Sequence, residues 1–139
     1  WHCFLNADFV QMNQREWELV AGLPFRQENL KLFCRRWEQK KWKAVIVTLA
    51  EKGAVLAWRW RGHAVKLFFH PAPKVKNPEQ TGAGDFFAAG FLSSILEGKH
   101  PEKTLRQAVR AASWKCRYEG IESVLKHKHE LKRFLTALK

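Results

Sequence analysis

The sequence lacks any long apolar run, and no stretch approaches the ~20 consecutive apolar residues that a membrane-spanning helix needs. No secretory signal is visible at its start. The chain begins at Trp1 rather than at an initiator Met, which suggests a processed or truncated product. Together these features predict a cytoplasmic protein with no membrane partner.

Cysteine is scarce as well. The three cysteines, Cys3, Cys34 and Cys116, are odd in number, far apart and form no C-x-x-C pair. Disulfide frameworks and zinc sites need closely patterned cysteines, so reduced intracellular thiols are predicted instead. The six histidines contain no H-E-x-x-H arrangement, and His127 and His129 would face different sides of a helix. This argues against a metal site built from histidines.

Acidic residues are few, since 13 Asp and Glu stand against 25 Lys and Arg, for a formal net charge of +12. Such a charge permits a polyanionic partner, including nucleic acid. The basic residues, however, are spread over residues 26–43 and 99–139, and no DNA- or RNA-binding motif is visible. A solvated basic surface is therefore the favoured interpretation.

With 139 residues, of which 46% are hydrophobic, the chain is predicted to form a single domain, residues 1–139, with a real core. Some of its apolar patterns are typical of β-strands and others have the spacing of α-helices. Strands are predicted at 7–12 and 43–49 and in a hairpin of 54–60 and 64–69, and helices at 13–22, 27–41, 82–97, from Pro101 to near Gly120, and from about His129.

Two of these segments predict burial. The continuous apolar run at 43–49 is typical of a strand covered on both faces of a parallel sheet. The helix at 82–97 is apolar on nearly all sides and is expected in the middle of the fold. Within the helix at 27–41, Cys34 and Trp37 share one apolar stripe with Leu30, which predicts core positions rather than a catalytic thiol.

The residues that best indicate chemistry are Thr81-Gly82-Ala83-Gly84-Asp85, directly before an apolar helix. Thr81 is a good N-cap, and glycines on both sides of Ala83 let the backbone approach a ligand closely. The amides of Gly82, Ala83 and Gly84 would then point at a phosphate. Asp85, in the first turn, could accept the proton of an attacking hydroxyl. The alternative is that Asp85 only complements the helix dipole.

Residues 79–91 closely resemble the C-terminal signature of the PfkB (ribokinase-like) family of carbohydrate and nucleoside kinases, D-T-x-G-A-G-D followed by an apolar helix. The chain departs from that pattern at Glu79 and Gln80. Asn13 and Glu16 also resemble the N-x-x-E of the family, although the same pair would form a capping box without any ligand.

Two further stretches carry the resemblance. Residues 47–54 are similar to V-T-L-G-x-x-G-A, with Ala50 in place of the usual glycine. If that position needs a positive φ, the substitution has a steric cost. Residues 71–75 are similar to P-A-P-x-V, although a proline-rich crossover would look the same.

The resemblance implies an α/β ribokinase-like (Rossmann-like) three-layer sandwich, of which this chain is the C-terminal portion, with a mostly parallel sheet plus a β-hairpin. The N-terminal acceptor-binding part and lid would be absent. It further implies transfer of the γ-phosphate of ATP to a hydroxyl of a sugar or nucleoside-like molecule, with Asp85 as general base. Gly82, Ala83 and Gly84 would form the anion hole, and Asn13 and Glu16 would hold Mg²⁺ through water. The nucleotide would be bordered by Thr48, Leu49, Glu51, Gly53, Pro73, Val75 and Thr81.

A second hypothesis remains open at this point. A kinase remnant could serve as a basic structural or adaptor protein in a nucleoprotein or other assembly, as the charge and the departures at Glu79, Gln80 and Ala50 would allow. The strand near Ala7 would also be a sheet edge that invites a second chain or another copy. Survival of the Gly-Ala-Gly-Asp centre favours the kinase.

Overall fold

A computed structural model describes residues 6–36, 42–59 and 64–136. The chain divides into two compact units, Trp1–Phe69 and His70–Lys139. Most of the strands belong to the first unit, whereas the second is built mainly from helices. The prediction of a single domain, which rested on length, stays a prediction.

The first unit is organised around a four-stranded sheet in the order β1-β2-β3-β4. Its elements, in chain order, are β1 (Phe9–Asn13), α1 (Gln14–Ala21), α2 (Gln27–Arg36), β2 (Ala44–Thr48), β3 (Ala54–Trp58) and β4 (Lys66–His70). Strands β1 and β2 are parallel, with Asn13 opposite Thr48, and β2 and β3 are antiparallel. The carboxyl ends of the parallel pair therefore bring Asn13 and Thr48 side by side.

The prediction of a mostly parallel sheet is only partly matched. Strands β2 and β3 are joined by residues 49–53 alone, which include a 3₁₀ turn at Ala50–Lys52. Parallel neighbours need a crossover of a dozen or more residues, so this short link makes the pair antiparallel. Strands β3 and β4 are neighbours in the sheet, as the predicted hairpin requires. Its proposed turn, residues 61–63, lies outside the described residues.

Helix α1 begins and ends where its sequence predicts. Asn13 is its N-cap, and Gly22, with φ 68°, is its C-cap and donates its amide hydrogen to the carbonyl of Glu18 at 2.9 Å. A left-handed glycine is the common way to end a helix because it has no Cβ to clash. The buried face of α1 places Trp17, which is fully inaccessible to solvent, in the core.

The core of the first unit is aromatic and aliphatic. Trp17 meets Phe25 edge to face, with ring centroids 5.3 Å apart, and also contacts Phe33. Cys34 is 1% exposed, as its helical stripe predicts. Burial raises the pKa of the Cys34 thiol to about 12 despite the opposing charge of Arg59, so this cysteine is a packed thiol and not a nucleophile. The predicted core residue Trp37 lies outside the described residues.

The second unit contains α3 (Ala83–Leu96), α4 (Pro101–Lys115), α5 (Gly120–Lys126) and α6 (Lys128–Thr136). Pro101 opens α4, as predicted, with the His100 side chain accepting from the amide of Glu102. Helix α4 ends at Lys115 rather than near Gly120, and α5 was not predicted. Gly120 has φ 66°, a conformation typical of helix ends, but here a new helix starts at it.

The expectation that the helix at 82–97 is buried all round is wrong. One side of α3 is buried, at Phe87, Gly90, Phe91 and Ser94. The other side is open, with Leu92 49% and Leu96 87% exposed. Helix α4 packs along the buried side. An apolar helix therefore presents a solvent-facing stripe in this unit.

Ring contacts link the helices of the second unit. Trp114 packs between Phe86 and Tyr118, with centroid distances of 6.0 and 4.9 Å. Tyr118 in turn stacks on His127 at 4.5 Å and donates its hydroxyl hydrogen to Glu130 at 2.5 Å. These contacts link α3 and α4 to His127, which follows the unpredicted α5, and to Glu130 of α6. Cys116, just after α4, is half-buried, and burial raises the pKa of its thiol, in keeping with the prediction of a packed residue.

Candidate active site

The glycine-rich turn predicted to hold an anion enters α3 through Gly82. We call residues 81–84 the anion turn. Gly82 is the N-cap of α3, with φ 77° and ψ 0°, and its carbonyl accepts from the amide of Phe86 at 3.1 Å. The prediction of Thr81 as N-cap is therefore wrong. The chain turns into the helix through a left-handed conformation that favours glycine, one residue later than a threonine cap would allow.

The amides of the anion turn are not equivalent. The Ala83 amide donates to the carbonyl of Gln80 at 3.0 Å, which closes the turn. The Gly82 amide has no acceptor within the described part of the chain. It therefore remains available to an anion at the positive end of the α3 dipole.

Asp85 lies in the first turn of α3, where the sequence predicts it. The residue is exposed, and its carboxylate has no hydrogen-bond partner among residues 6–36, 42–59 and 64–136. A solvent-facing carboxylate beside an unused amide can meet a ligand without first breaking an internal contact. The position suits a proton acceptor.

Glu79 stands where the family signature usually has an aspartate. Its amide and both of its carboxylate oxygens have partners. Its amide donates to the carbonyl of Cys116 at 3.0 Å, and one carboxylate oxygen accepts from the amide of Thr81 at 2.7 Å. The other forms a short ion pair with Lys115. The Lys115 ammonium, followed by the hydroxyl and amide of Thr81, lowers the pKa of Glu79 to about 2. The glutamate at this position therefore makes specific contacts, and its difference from the family signature does not indicate a lost site.

Lys115 is the site residue that sequence reasoning missed. It is 1% exposed, at the end of α4. The signal was present, because Lys115 lies three residues after Ala112 and seven after Ala108 on the apolar stripe of that helix. A lysine at a buried helical position needs a partner, and a partner 36 residues away leaves no local trace in the sequence.

In the first unit, Asn13 and Glu16 contact each other directly. The amide of Asn13 donates to Glu16 Oε2 at 2.8 Å, and the amide of Glu16 donates to Asn13 Oδ1 at 2.9 Å. These two hydrogen bonds form a reciprocal capping box, which the sequence analysis gave as the alternative that needs no ligand. Both side chains are exposed, and the cap leaves Glu16 Oε1 and the second lone pair of Asn13 Oδ1 unused.

The loop after β2 contains the other predicted nucleotide-side residues of this unit. Ala50 has φ 50°, so the position does require the positive φ that its usual glycine would provide. Gly53 has φ 113° and ψ −139°, a conformation that is essentially confined to glycine, and its carbonyl accepts from Leu49 at 2.8 Å. Thr48 donates its hydroxyl hydrogen to the carbonyl of Met12 at 3.4 Å.

The predicted site residues thus fall into one group in each unit. Asn13, Glu16 and Thr48 come together at the carboxyl ends of β1 and β2, with Leu49, Glu51 and Gly53 in the adjoining loop. Thr81, Gly82, Ala83, Gly84 and Asp85 come together at the start of α3. Pro73 and Val75 are half-buried in an irregular segment that precedes the anion turn.

The chain belongs to the pfkB family of carbohydrate kinases, which it matches over residues 2–128. It is 29% identical to a deoxyribokinase of Salmonella typhi over 118 residues, which cover 84% of this chain and 37% of that protein. The chain thus spans about two fifths of the length of the relatives that it matches.

Solved structures agree with this assignment. A ribokinase of Arabidopsis thaliana complexed with ribose and ATP has a TM-score of 0.74 and 26% identity, over 93% of this chain and 41% of that one. A fructokinase of Vibrio cholerae with fructose, ADP and calcium bound has a TM-score of 0.68 and 26% identity, over the same shares of the two chains. The predicted ribokinase-like α/β fold class is therefore confirmed.

The described residues hold neither a membrane-spanning helix nor a cluster of metal-binding side chains. None of their helices is long and apolar enough to cross a bilayer. Nor do these residues contain a group of three or more His, Cys, Asp or Glu side chains that could hold a metal ion.

Proposed function

We propose that the chain is the nucleotide-binding and catalytic part of an ATP-dependent kinase, and that it corresponds to the C-terminal portion of the family's architecture. The acceptor is a hydroxyl of a sugar or nucleoside-like small molecule. The observation that carries this proposal lies at the start of α3, where the Gly82 amide and the exposed carboxylate of Asp85 both lack a hydrogen-bond partner among the described residues. Membership of the pfkB family supports the same reaction class.

In the proposed reaction, the acceptor oxygen bonds to the γ-phosphorus of ATP while the bond from that phosphorus to the bridging oxygen breaks, which releases ADP. The hydroxyl proton passes to the Asp85 carboxylate. The amide of Gly82 stabilises charge on the transferred group, whereas the amide of Ala83, also predicted for the anion hole, already donates to the carbonyl of Gln80. In a loose transition state the hydroxyl loses its proton late, so a weak base suffices and positioning dominates.

The residues present fit a hydrated Mg²⁺. This ion prefers oxygen ligands and keeps several waters. At the carboxyl end of β1, Glu16 Oε1 is not used by the capping box, and Asn13 Oδ1 keeps a second lone pair beside the hydrogen bond that it accepts from the amide of Glu16. They would therefore hold the ion through water. When bound, Mg²⁺ neutralises charge on the nucleotide phosphates.

In the first unit, the residues proposed to contact the nucleotide are Thr48, Leu49, Glu51 and Gly53. The backbone of Gly53 and Ala50 supports this, because a loop that requires two positive φ values brings main chain rather than side chain toward a ligand. In the second unit, the same role is proposed for Pro73, Val75 and Thr81. A second chain or another copy would complete the sheet at the β1 edge. We propose a cytoplasmic location for this kinase as well.

The experiment is transfer of labelled γ-phosphate from ATP to ribose, fructose and a nucleoside by the protein that carries this chain. Asp85→Asn is expected to cut turnover by orders of magnitude while ATP binding is kept. Glu122→Gln, which changes an exposed carboxylate on α5 in the same way, is the matched control and should behave as wild type. Wild-type turnover by Asp85→Asn would remove Asp85 from the mechanism.

A further inference from the structure

The ion pair between Lys115 and Glu79 joins the end of α4 to a residue that stands three positions before Gly82, the N-cap of α3. Lys115 is 1% exposed, so its ammonium has left water almost completely. Besides the carboxylate, it lies 3.4 Å from the main-chain carbonyl of Glu79. Taking an ammonium out of water is costly unless good partners replace the water. Glu79 supplies both partners.

The same glutamate holds the anion turn from the other side. Its Oε1 accepts from the amide of Thr81, the first residue of the turn, and its own amide is bonded to Cys116 just after α4. One side chain thus connects a fixed helix end to a segment that contains two glycines. Glycine-rich backbone has the most conformational freedom to lose, so an external tether has its largest effect there.

We propose that Lys115 is a positioning residue, which acts through Glu79 to hold the anion turn in its phosphate-binding conformation. The effect on phosphate binding rests on the proposed function, whereas the restraint of the anion turn by Lys115 and Glu79 does not. Amides stabilise a transferred phosphoryl group only when they are already aimed at it. Small displacements matter, because a misplacement of about 1 Å can cost on the order of 100-fold in rate.

A role in stability alone can be separated from a role in positioning. Breaking a buried pair leaves one charge uncompensated, whereas replacing both partners with apolar side chains is often neutral for stability. The double variant Lys115→Met/Glu79→Met therefore removes the tether without leaving a buried charge. Lys103→Met, an exposed lysine on the same helix, is the matched control.

The experiment measures hydrogen exchange at the Thr81 amide in the 139-residue chain without ligand, the midpoint of thermal unfolding, and the dissociation constant of MgATP. The double variant is expected to melt near wild type, to exchange the Thr81 hydrogen at least tenfold faster and to bind MgATP at least tenfold more weakly. Lys103→Met should match wild type in all three. Lys115→Met keeps the Glu79 carboxylate that accepts from Thr81, and the Glu79 side chain is 30% exposed to water. If the double variant fails to melt cooperatively, Lys115→Met carries the same expectation for exchange.

Unchanged exchange at Thr81 in a variant that melts cooperatively would overturn the positioning role. That result is distinct from failure of the proposed function, which would appear as no MgATP binding by the wild-type chain. The exchange measurement needs no nucleotide, so it decides the role of Lys115 in either case.

Discussion

A Cβ added to Gly90 would lie 2.9 Å from the Cβ of Ala111. It would also lie 3.2 Å from Ala108 Cα and 3.4 Å from the carbonyl oxygen of Gln107. The backbones of α3 and α4 therefore meet at this glycine, and the crossing leaves no room for a methyl group. This close approach fixes the helix whose first turn holds Asp85.

Gly90→Ala is expected to destabilise the second unit. Alanine is the better helix former by about 1 kcal/mol, but forcing a methyl group into a packed contact costs about 1–3 kcal/mol. Urea unfolding should show that Gly90→Ala lowers the free energy of unfolding when it is made in the wild-type chain. The decrease should be smaller in an Ala111→Gly background, because that change removes the nearest atom, the Cβ of Ala111. A gain in stability from Gly90→Ala would show that the two helices are not in contact there.

Ala50→Gly is expected to stabilise the first unit, because Ala50 has φ 50°. A residue with a Cβ pays roughly 1 kcal/mol or more in this conformation, whereas glycine adopts it freely. The matched comparison is Asn77→Gly, at φ 48°, since asparagine tolerates the left-handed region better than alanine. Thermal melts should show a larger increase in melting temperature for Ala50→Gly than for Asn77→Gly. An equal or smaller increase for Ala50→Gly would show that the alanine backbone is not strained.

Asn13→Ala should lower the free energy of unfolding by about 1 kcal/mol, because it removes an N-cap. Asn13→Asp should not, since an aspartate oxygen also accepts from the amide of Glu16. Denaturant titration of the two variants tests this, and equal losses would mean that the capping box contributes nothing.

The capping and metal roles of Glu16 can be tested apart. Glu16→Gln keeps an oxygen that accepts from the amide of Asn13 but loses the negative charge. Stability should therefore stay close to wild type, whereas the Mg²⁺ concentration needed for half-maximal ATP binding should rise. Calorimetric titration at several Mg²⁺ concentrations measures that shift. An unchanged Mg²⁺ requirement would confine Glu16 to the cap.

Glu79 should make stability depend on pH in acid. Its pKa in the folded chain is about 2, below the ~4.3 of an unperturbed glutamate. The stabilising contribution is therefore fully present above the unfolded value and is lost as pH falls toward the folded value. The difference in unfolding free energy between wild type and Glu79→Gln should shrink as pH falls from about 4 to about 2. A constant difference across that window would contradict the pairing with Lys115.

Local signals predicted much of this fold. Asn13 and Gly22 bound α1, and Pro101 opens α4, because caps and prolines act on neighbouring backbone. What failed depends on partners far along the chain. An all-apolar α3 does not say which side is covered, so the exposure of Leu92 and Leu96 could not be predicted.

The candidate site shows the same division. The anion turn and Asp85 were predictable because the glycines and the helix start are adjacent in sequence. The N-cap was placed one residue early, since Thr81 and Gly82 are both good caps and only the left-handed conformation of Gly82 decides between them. The tether from Lys115 to Glu79 was not predictable, because it joins residues 36 positions apart.

Binding of the phosphates of ATP by the anion turn can be tested directly by a thermal melt with and without MgATP. A ligand at 100 times its dissociation constant adds about 2.7 kcal/mol to stability. Gly82→Asp places a negative charge in the turn, and Gly82→Asn is its matched control, since both residues tolerate the positive φ similarly. We expect MgATP to raise the melting temperature of wild type, Asp85→Asn and Gly82→Asn but not that of Gly82→Asp. An equal shift in all four, or none in wild type, would contradict this expectation.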